Sequence, residues 1–385
     1  MATNIHAITM PRWGMTMTEG RVVAWLAEVG DVLSSGQEIL EVETEKIANA
    51  LEASASGVLR RKLIEPQSTA AVGSLLGVIA DANAGDAEIE AFVAAHQLRQ
   101  KSEGAAETSV PAARLVDAID GRINILSLGD GTATPAVLIH GFGGDLNSWL
   151  FNQSDLAAAR PVHAVDLPAH GASSIPSGSL SLESVTRAVA AALDDIGVKR
   201  AHFVAHSLGA TVVLLLTRDM PARVASLSLI SPAGLGTQID ARYIEGFLSA
   251  ERRPQMKQAL SALFADPTQV RREMVDEVLR FMRGDGVPAA LRGLADNAFP
   301  GGKQRLLLRD VVASAAVPVQ IIWGEGDRII PASQSQDLPP NAKVYLIEAA
   351  GHMAHLEQAG RVNELLADFM AAADAAEKPT RSAVR

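Results

Sequence analysis

Apolar positions change their period along this chain. Over residues 19–81 they alternate with polar ones in short runs broken by turn residues. The pattern returns after 37 residues, so that Gly20, Val22, Leu26, Gly36 and Ile39 correspond to Gly57, Leu59, Leu63, Gly73 and Leu76. A period of two predicts strands. Its repetition predicts two equivalent sheets packed face to face over the Val and Leu positions. The two halves meet at residues 41–49, which puts Thr44-Glu45-Lys46 at a hairpin tip with Lys46 in water. Residues 82–114 are rich in Ala, Gly, Ser, Glu and Pro and predict a flexible linker. Within it Ile89, Phe92 and Val93 stand at helical spacing, so a short amphipathic helix is expected over 86–96.

From residue 115 the chain is marked by short, mainly apolar runs. They are 122–128, 135–139, 162–165, 203–204, 227–230, 319–323 and 343–347, with helix-period stretches such as 182–193 between them. Alternating apolar strands and helices predict a mostly parallel sheet covered on both faces. Residues 233–310 interrupt this order with helical periodicity over 243–263 and 273–282, which predicts a cap. The fold class is therefore multidomain: an all-β sandwich over 1–81, a linker over 82–114, and an α/β domain over 115–376. A disordered tail is expected over 377–385.

Composition narrows the chemistry. The chain has 385 residues, 48% hydrophobic and 20% charged, with a formal net charge of -10. That charge argues against nucleic acid or an anionic membrane as partner. No cysteine is present, so neither disulfides nor a thiolate metal site is expected, and any thiol must come from an attached group. No basic stretch followed by an apolar core opens the chain, and no run reaches membrane-spanning length. A cytoplasmic location and no bound metal are the expectations.

One stretch carries a nucleophile signature. The run Phe203-Val204-Ala205-His206 ends at Ser207, and apolar residues resume at Val212. A strand turning sharply into a helix there exposes the serine hydroxyl in front of a helix N-terminus. Small residues are needed two before and two after it. Gly209 meets this need, and Ala205 stands where glycine is usual.

Met10-Pro11, Gly14, Glu19-Gly20, Gly30-Asp31 and Glu43-Thr44-Glu45-Lys46-Ile47 resemble a lipoyl domain of the 2-oxo acid dehydrogenase complexes. The resemblance implies lipoate in amide linkage on Lys46. Glu45 replaces the commoner Asp. Related biotinyl domains carry Met on both sides of the lysine, so Glu45 and Ile47 oppose biotin.

His140-Gly141-Phe142-Gly143-Gly144, Asp166-Leu167-Pro168-Ala169-His170-Gly171, the Ser207 turn, Gly324-Glu325-Gly326-Asp327 and Gly351-His352 resemble the α/β-hydrolase family, in its order. That architecture requires the order serine, acid, histidine. Of the nine histidines only His352 and His355 follow both Ser207 and a candidate acid. His352 lies just past the last apolar run, whereas His355 falls where a helix starts. Asp327 directly follows an apolar run between permissive glycines, whereas Asp310 follows a helical stretch. The catalytic set is therefore Ser207, Asp327 and His352. Asp166 and His140 are expected to hold loop shape, and His206 to point away and pack. The oxyanion site would come from the N–H groups of Phe142 and Leu208.

No histidine begins the His-x-x-x-Asp-Gly motif of the usual acyltransferase cores of lipoyl complexes. The order lipoyl domain, linker, α/β-hydrolase instead resembles the dihydrolipoamide acetyltransferase family of acetoin dehydrogenase complexes. This implies transfer of acetyl from a thioester on lipoyl-Lys46 to coenzyme A. It also implies two partners, a thiamine-diphosphate acetoin dehydrogenase and a dihydrolipoamide dehydrogenase. A homo-oligomer is expected. The residues leave open whether the acyl group passes through Ser207 or goes directly to a thiol deprotonated by His352. Two other readings stay open: a carrier-fused thioesterase releasing the acyl group to water, and a lipoyl carrier with a non-catalytic assembly domain. Paired arginines such as Arg252-Arg253 and Arg271-Arg272 read as solvated helix faces rather than phosphate contacts.

Overall fold

The computed structural model describes residues 5–10, 19–34, 36–43, 48–53, 55–104 and 113–377. The chain divides into two compact units, 1–112 and 113–385.

The first unit holds eight strands: β1 (Ile5–Thr9), β2 (Glu19–Trp25), β3 (Val32–Leu33), β4 (Glu38–Glu43), β5 (Ala48–Glu52), β6 (Gly57–Lys62), β7 (Thr69–Ala71) and β8 (Leu75–Ala80). They form two four-stranded sheets, β1-β8-β6-β3 and β5-β4-β2-β7. The second order is the first with each strand replaced by the one four places away, which is the 37-residue repeat made structural. Val22, Ile39, Leu59 and Leu76 are fully buried. The pair Leu26 and Leu63 departs from expectation, with 47% and 37% of their surface exposed. Each lies one residue past the end of its strand, where the alternation no longer aims inward. In the β4–β5 hairpin Glu43 pairs with Ala48. Lys46 belongs to the connection between these two strand ends and lies outside the described residues.

Helix α1 (Asp86–Gly104) is far longer than the expected short segment. Ile89 and Val93 are buried against Leu75, Val78 and Ala80 of β8. Arg60 and Arg61 of β6 pair with Asp86, and Arg61 also with Glu90. The helix is thus part of the first unit, because its apolar face covers the outer side of a strand buried on both faces.

The second unit contains β9 (Arg114–Ala118), β10 (Gly121–Leu128), β11 (Ala136–Ile139), β12 (Val162–Val165), β13 (Ala201–His206), β14 (Val224–Ile230), β15 (Val319–Gly324) and β16 (Ala342–Ile347). The sheet order is β16-β15-β14-β13-β11-β12-β10-β9. From β12 to β16 neighbours run parallel, while β10 is antiparallel to both β12 and β9. β9 was not expected, since its five residues expose Leu115 and bury chiefly Val116.

Helices α2 (Gln153–Ala157), α3 (Leu182–Asp195) and α4 (Leu208–Asp219) come between the first parallel strands. Between β14 and β15 lie α5 (Ala241–Ser249), α6 (Arg253–Ser261), α7 (Arg272–Met282), α8 (Val287–Ala298) and α9 (Arg309–Ser314). The periodicity over 243–263 is carried by two helices, α5 and α6. Pro254 sits in the first turn of α6, where its missing N–H costs nothing and where it cannot continue a preceding helix. The described residues end in α10 (Ala354–Glu357) and α11 (Ala359–Glu377). Glu377 is thus helical, and the rest of the expected tail, 378–385, lies outside the described residues. Among the described residues no helix is long and apolar enough to cross a membrane.

Candidate active site

Ser207 joins β13 to α4 with φ 51° and ψ -120°, a strained backbone for a side chain with a Cβ. Its amide donates to Ile230 O of β14, and its carbonyl accepts from Ala210 N and Ala233 N. These bonds over-determine the turn and hold the strain. A Cβ on Gly209 would stand 2.5 Å from the carbonyl oxygens of Ile139 and His140, so helix and strand meet at bare backbone. Ala205, the departure from the usual glycine, is fully accommodated in β13.

Asp327 follows β15 and His352 follows β16. His352 Nδ1–H donates to Asp327 Oδ2 over 2.8 Å, which leaves Nε2 free to take a proton. The carboxylate is held by three more donors. Trp323 Nε1 reaches the same Oδ2 at 3.0 Å, and the amides of Ile329 and Ile330 reach Oδ1 at 2.9 and 3.0 Å. The His352 amide donates to Leu263 O, just past α6, at 2.8 Å. The ends of β15 and β16 thus bring the acid and the imidazole together, and Ser207 stands at the end of β13, two strands from β15 in the same sheet.

His206 does more than pack. Its Nε2–H donates to the carbonyl of His352 at 2.9 Å, and the two rings lie 4.7 Å apart. His355 is fully buried and packs tilted against Trp149 and His206, each with ring centroids 4.7 Å away, while the carboxylate of Asp327 is bonded to His352. Asp166 accepts from Leu146 N, Ala172 N and Asn124 Nδ2, tying the loop after β12 to its surroundings. Burial, and then the nearby Asp145, push its carboxyl up to about 6.

The loop after β11 runs against the serine. A Cβ on Gly141 would lie 3.0 Å from Ser207 Cβ. Phe142 is clasped edge-on by Phe247 of α5 at 5.9 Å and by Phe299 at 6.2 Å. Phe247 also fills the space beside Gly143, where a Cβ would stand 2.4 Å from its ring. Phe299, with Ala241, Ile244 and Ala295, lines a cavity of about 190 Å³ between α5, α8 and the turn after α8. The helices between β14 and β15 therefore pack onto the loop that carries Phe142, as a cap would.

Two supporting residues carried no sign in the sequence of what they bond. His170 meets the loop after β11 across 27 positions, and Trp323 looked like any buried strand residue. The histidines behind the site are neutral by burial. His140 is held down at about 4, His170 at about 3, and His206 well below the ordinary imidazole range. A serine on a strained turn, an imidazole oriented by a carboxylate, and backbone N–H groups at a helix start can together perform acyl transfer.

Comparison with known proteins agrees with this chemistry. Residues 134–359 match the family model of the α/β-hydrolase fold, and residues 6–79 that of biotin-requiring enzymes. Over 369 residues the chain is 43% identical to the dihydrolipoyllysine-residue acetyltransferase component of the acetoin cleaving system of Pseudomonas putida, covering 96% of this chain and 99% of that one. The Cupriavidus necator component of the same description is 42% identical over 371 residues, covering 95% and 98%. Among solved structures, a meta-cleavage product hydrolase from Pseudomonas fluorescens covers 68% of this chain and 98% of its own, with TM-score 0.61 and 21% identity. At that identity the likeness is one of fold.

Proposed function

The chain belongs to the family of dihydrolipoyllysine-residue acetyltransferase components of acetoin cleaving systems, and we propose that its second unit moves acetyl from a thioester donor to coenzyme A through Ser207, His352 and Asp327. The observation that supports this most is the His352–Asp327 hydrogen bond, in a sheet that also carries, at the end of β13, a serine held at positive φ.

In this mechanism His352 Nε2 takes the Ser207 proton as Oγ attacks the thioester carbonyl. The amides of Phe142 and Leu208 stabilise the oxyanion. As the carbon–sulfur bond breaks, His352 returns the proton to the leaving thiolate, and Ser207 carries the acetyl ester. The coenzyme A thiol then attacks this ester while His352 takes its proton. Acetyl-coenzyme A leaves, and Ser207 regains its hydrogen. Asp327 keeps the imidazole in the Nδ1–H tautomer and stabilises the cation in each half. The strained turn favours the route through Ser207 over direct transfer, because the strain is spent on presenting Oγ.

Lipoate in amide linkage on Lys46 would supply, once reduced, the dithiol that this cysteine-free chain lacks. The residues present fit that group. The β4–β5 hairpin is paired up to Glu43 and Ala48, so the connection bearing Lys46 leaves from a braced pair of strand ends. The partners in this reading are a thiamine-diphosphate acetoin dehydrogenase and a dihydrolipoamide dehydrogenase, the assembly is homo-oligomeric, and the setting is the cytoplasm.

The test supplies S-acetyldihydrolipoamide with and without coenzyme A. Wild type should form acetyl-coenzyme A, and Ser207→Ala should lower kcat by roughly a thousandfold or more. Lys46→Ala should keep activity on this free donor and lose it in the assembled complex. Acetate release indifferent to coenzyme A would instead make the protein a thioesterase. An inert wild type would make the second unit an assembly domain.

A further inference from the structure

His140 and His170 grip each other's loops. His140 lies in the loop after β11, and its Nε2 accepts the Leu167 N–H of the loop after β12 at 2.9 Å. His170 lies in the loop after β12, and its Nε2 accepts the Gly143 N–H of the loop after β11 at 3.1 Å. Both rings are fully buried, with centroids 5.1 Å apart. A nitrogen that accepts an amide proton carries the lone pair, so each neutral ring bears its proton on Nδ1. Each Nδ1–H donates to a carbonyl of its own loop, His140 to Gly141 O at 2.7 Å and His170 to Pro168 O at 3.0 Å.

These partners bracket one residue. The Gly141 carbonyl and the Phe142 N–H belong to the same planar trans peptide, so fixing the oxygen fixes the opposite direction of the N–H. The next peptide, Phe142 to Gly143, is held through its own N–H by His170. Neither the Phe142 nor the Leu208 amide is used by these four bonds. A hydrogen bond to the Gly141 oxygen also polarises its peptide and strengthens the Phe142 N–H as a donor.

We propose that His140 and His170 are positioning residues that aim the Phe142 N–H at the reacting carbonyl oxygen, each holding one of the two peptides that flank Phe142. The proposal rests on the assignment of Phe142 as an oxyanion donor. The two rings do this with different atoms. His140 works through Nδ1, whose place an Asn side-chain amide can take. His170 works through Nε2, whose place the oxygen of a Gln side chain can take.

The test uses the full chain and the Ala, Asn and Gln variants at both positions. Acetyl transfer from S-acetyldihydrolipoamide to coenzyme A is measured together with turnover of 4-nitrophenyl acetate and its thionoacetate, whose sulfur accepts hydrogen bonds poorly. The Ala variants should lose about 10- to 100-fold in kcat on the oxygen substrates. KM should stay within about threefold, and the thiono ester should suffer much less. At position 140, Asn should restore more activity than Gln; at position 170, Gln should restore more than Asn. This opposite order is what general loosening of the fold would not produce, and it is readable even if the Ala variants fail to fold. Wild-type kcat in the variants, the same order at both positions, or equal losses on the two esters would overturn the proposal. If Ser207→Ala transfers normally, or wild type treats both esters alike, the oxyanion assignment itself falls and takes the proposal with it.

Discussion

The Asp327 carboxylate accepts four hydrogen bonds, two of them on the oxygen that faces His352. That crowding makes the site intolerant of an amide. In Asp327→Asn the side-chain NH₂ must point either at the His352 and Trp323 donors or at the amides of Ile329 and Ile330. Either way donors face donors. Facing His352, the NH₂ would also favour the wrong imidazole tautomer. Asp327→Asn should therefore lower kcat by up to about 10⁴-fold. It should also lose about 1–3 kcal/mol of stability, because a buried donor is left unmet. Steady-state kinetics and urea unfolding measure the two effects. A fall in kcat with no change in unfolding midpoint would show that a rotated amide had been satisfied.

At the scale of elements, α1 illustrates how a sequence pattern can be seen and still be misread. Ile89, Phe92 and Val93 marked a helix, but nothing local said what it would cover. The outer face of β8 supplied that partner, and both strand and helix are buried where they meet. Ile89→Ala removes a fully buried side chain there and should cost the first unit about 2–4 kcal/mol. Calorimetry of the full chain should show the transition of the first unit lowered. Acetyl transfer from the free donor should stay unchanged, since α1 belongs to the first unit. The cap repeats the lesson in another form. Its helical period is legible over 243–263, and the structure divides that stretch at Pro254 into α5 and α6.

At the scale of the molecule, buried imidazoles make stability depend on pH. His140 is held near 4, and His170 and His355 near 3, each chiefly by burial, against about 6.5 in an unfolded chain. Between pH 6.5 and 4 the unfolded state therefore binds more protons at these sites, and stability falls as pH falls. Asp166 acts in the opposite sense. Its carboxyl is raised to about 6, so the fold gains at this site as pH drops toward 4. Three depressed bases outweigh one raised acid, each fully shifted base contributing about 1.4 kcal/mol per pH unit. The urea midpoint should drop markedly between pH 7 and pH 5. A midpoint that is flat or rises over that range would mean that these rings are hydrated in the folded state.

The repeat in the first unit, the parallel strands of the second, and the punctuated strand ends bearing Ser207, Asp327 and His352 were all legible from the sequence. These features are local. Period and turn chemistry depend on neighbours a few residues away, and motif order is read along the chain without knowing what touches what, so such signals survive in a linear string. The tertiary structure decided which buried side chains serve the site. The Gly143 amide meets His170, the Trp323 indole shares an oxygen with His352, and His206 holds the His352 carbonyl. Trp323 is an ordinary buried strand residue by its own surroundings in the chain, and the motifs that hold His170 and His206 do not say what those rings bond. The role of each comes from which strand end lies beside which, and that is fixed by sheet order, not by spacing.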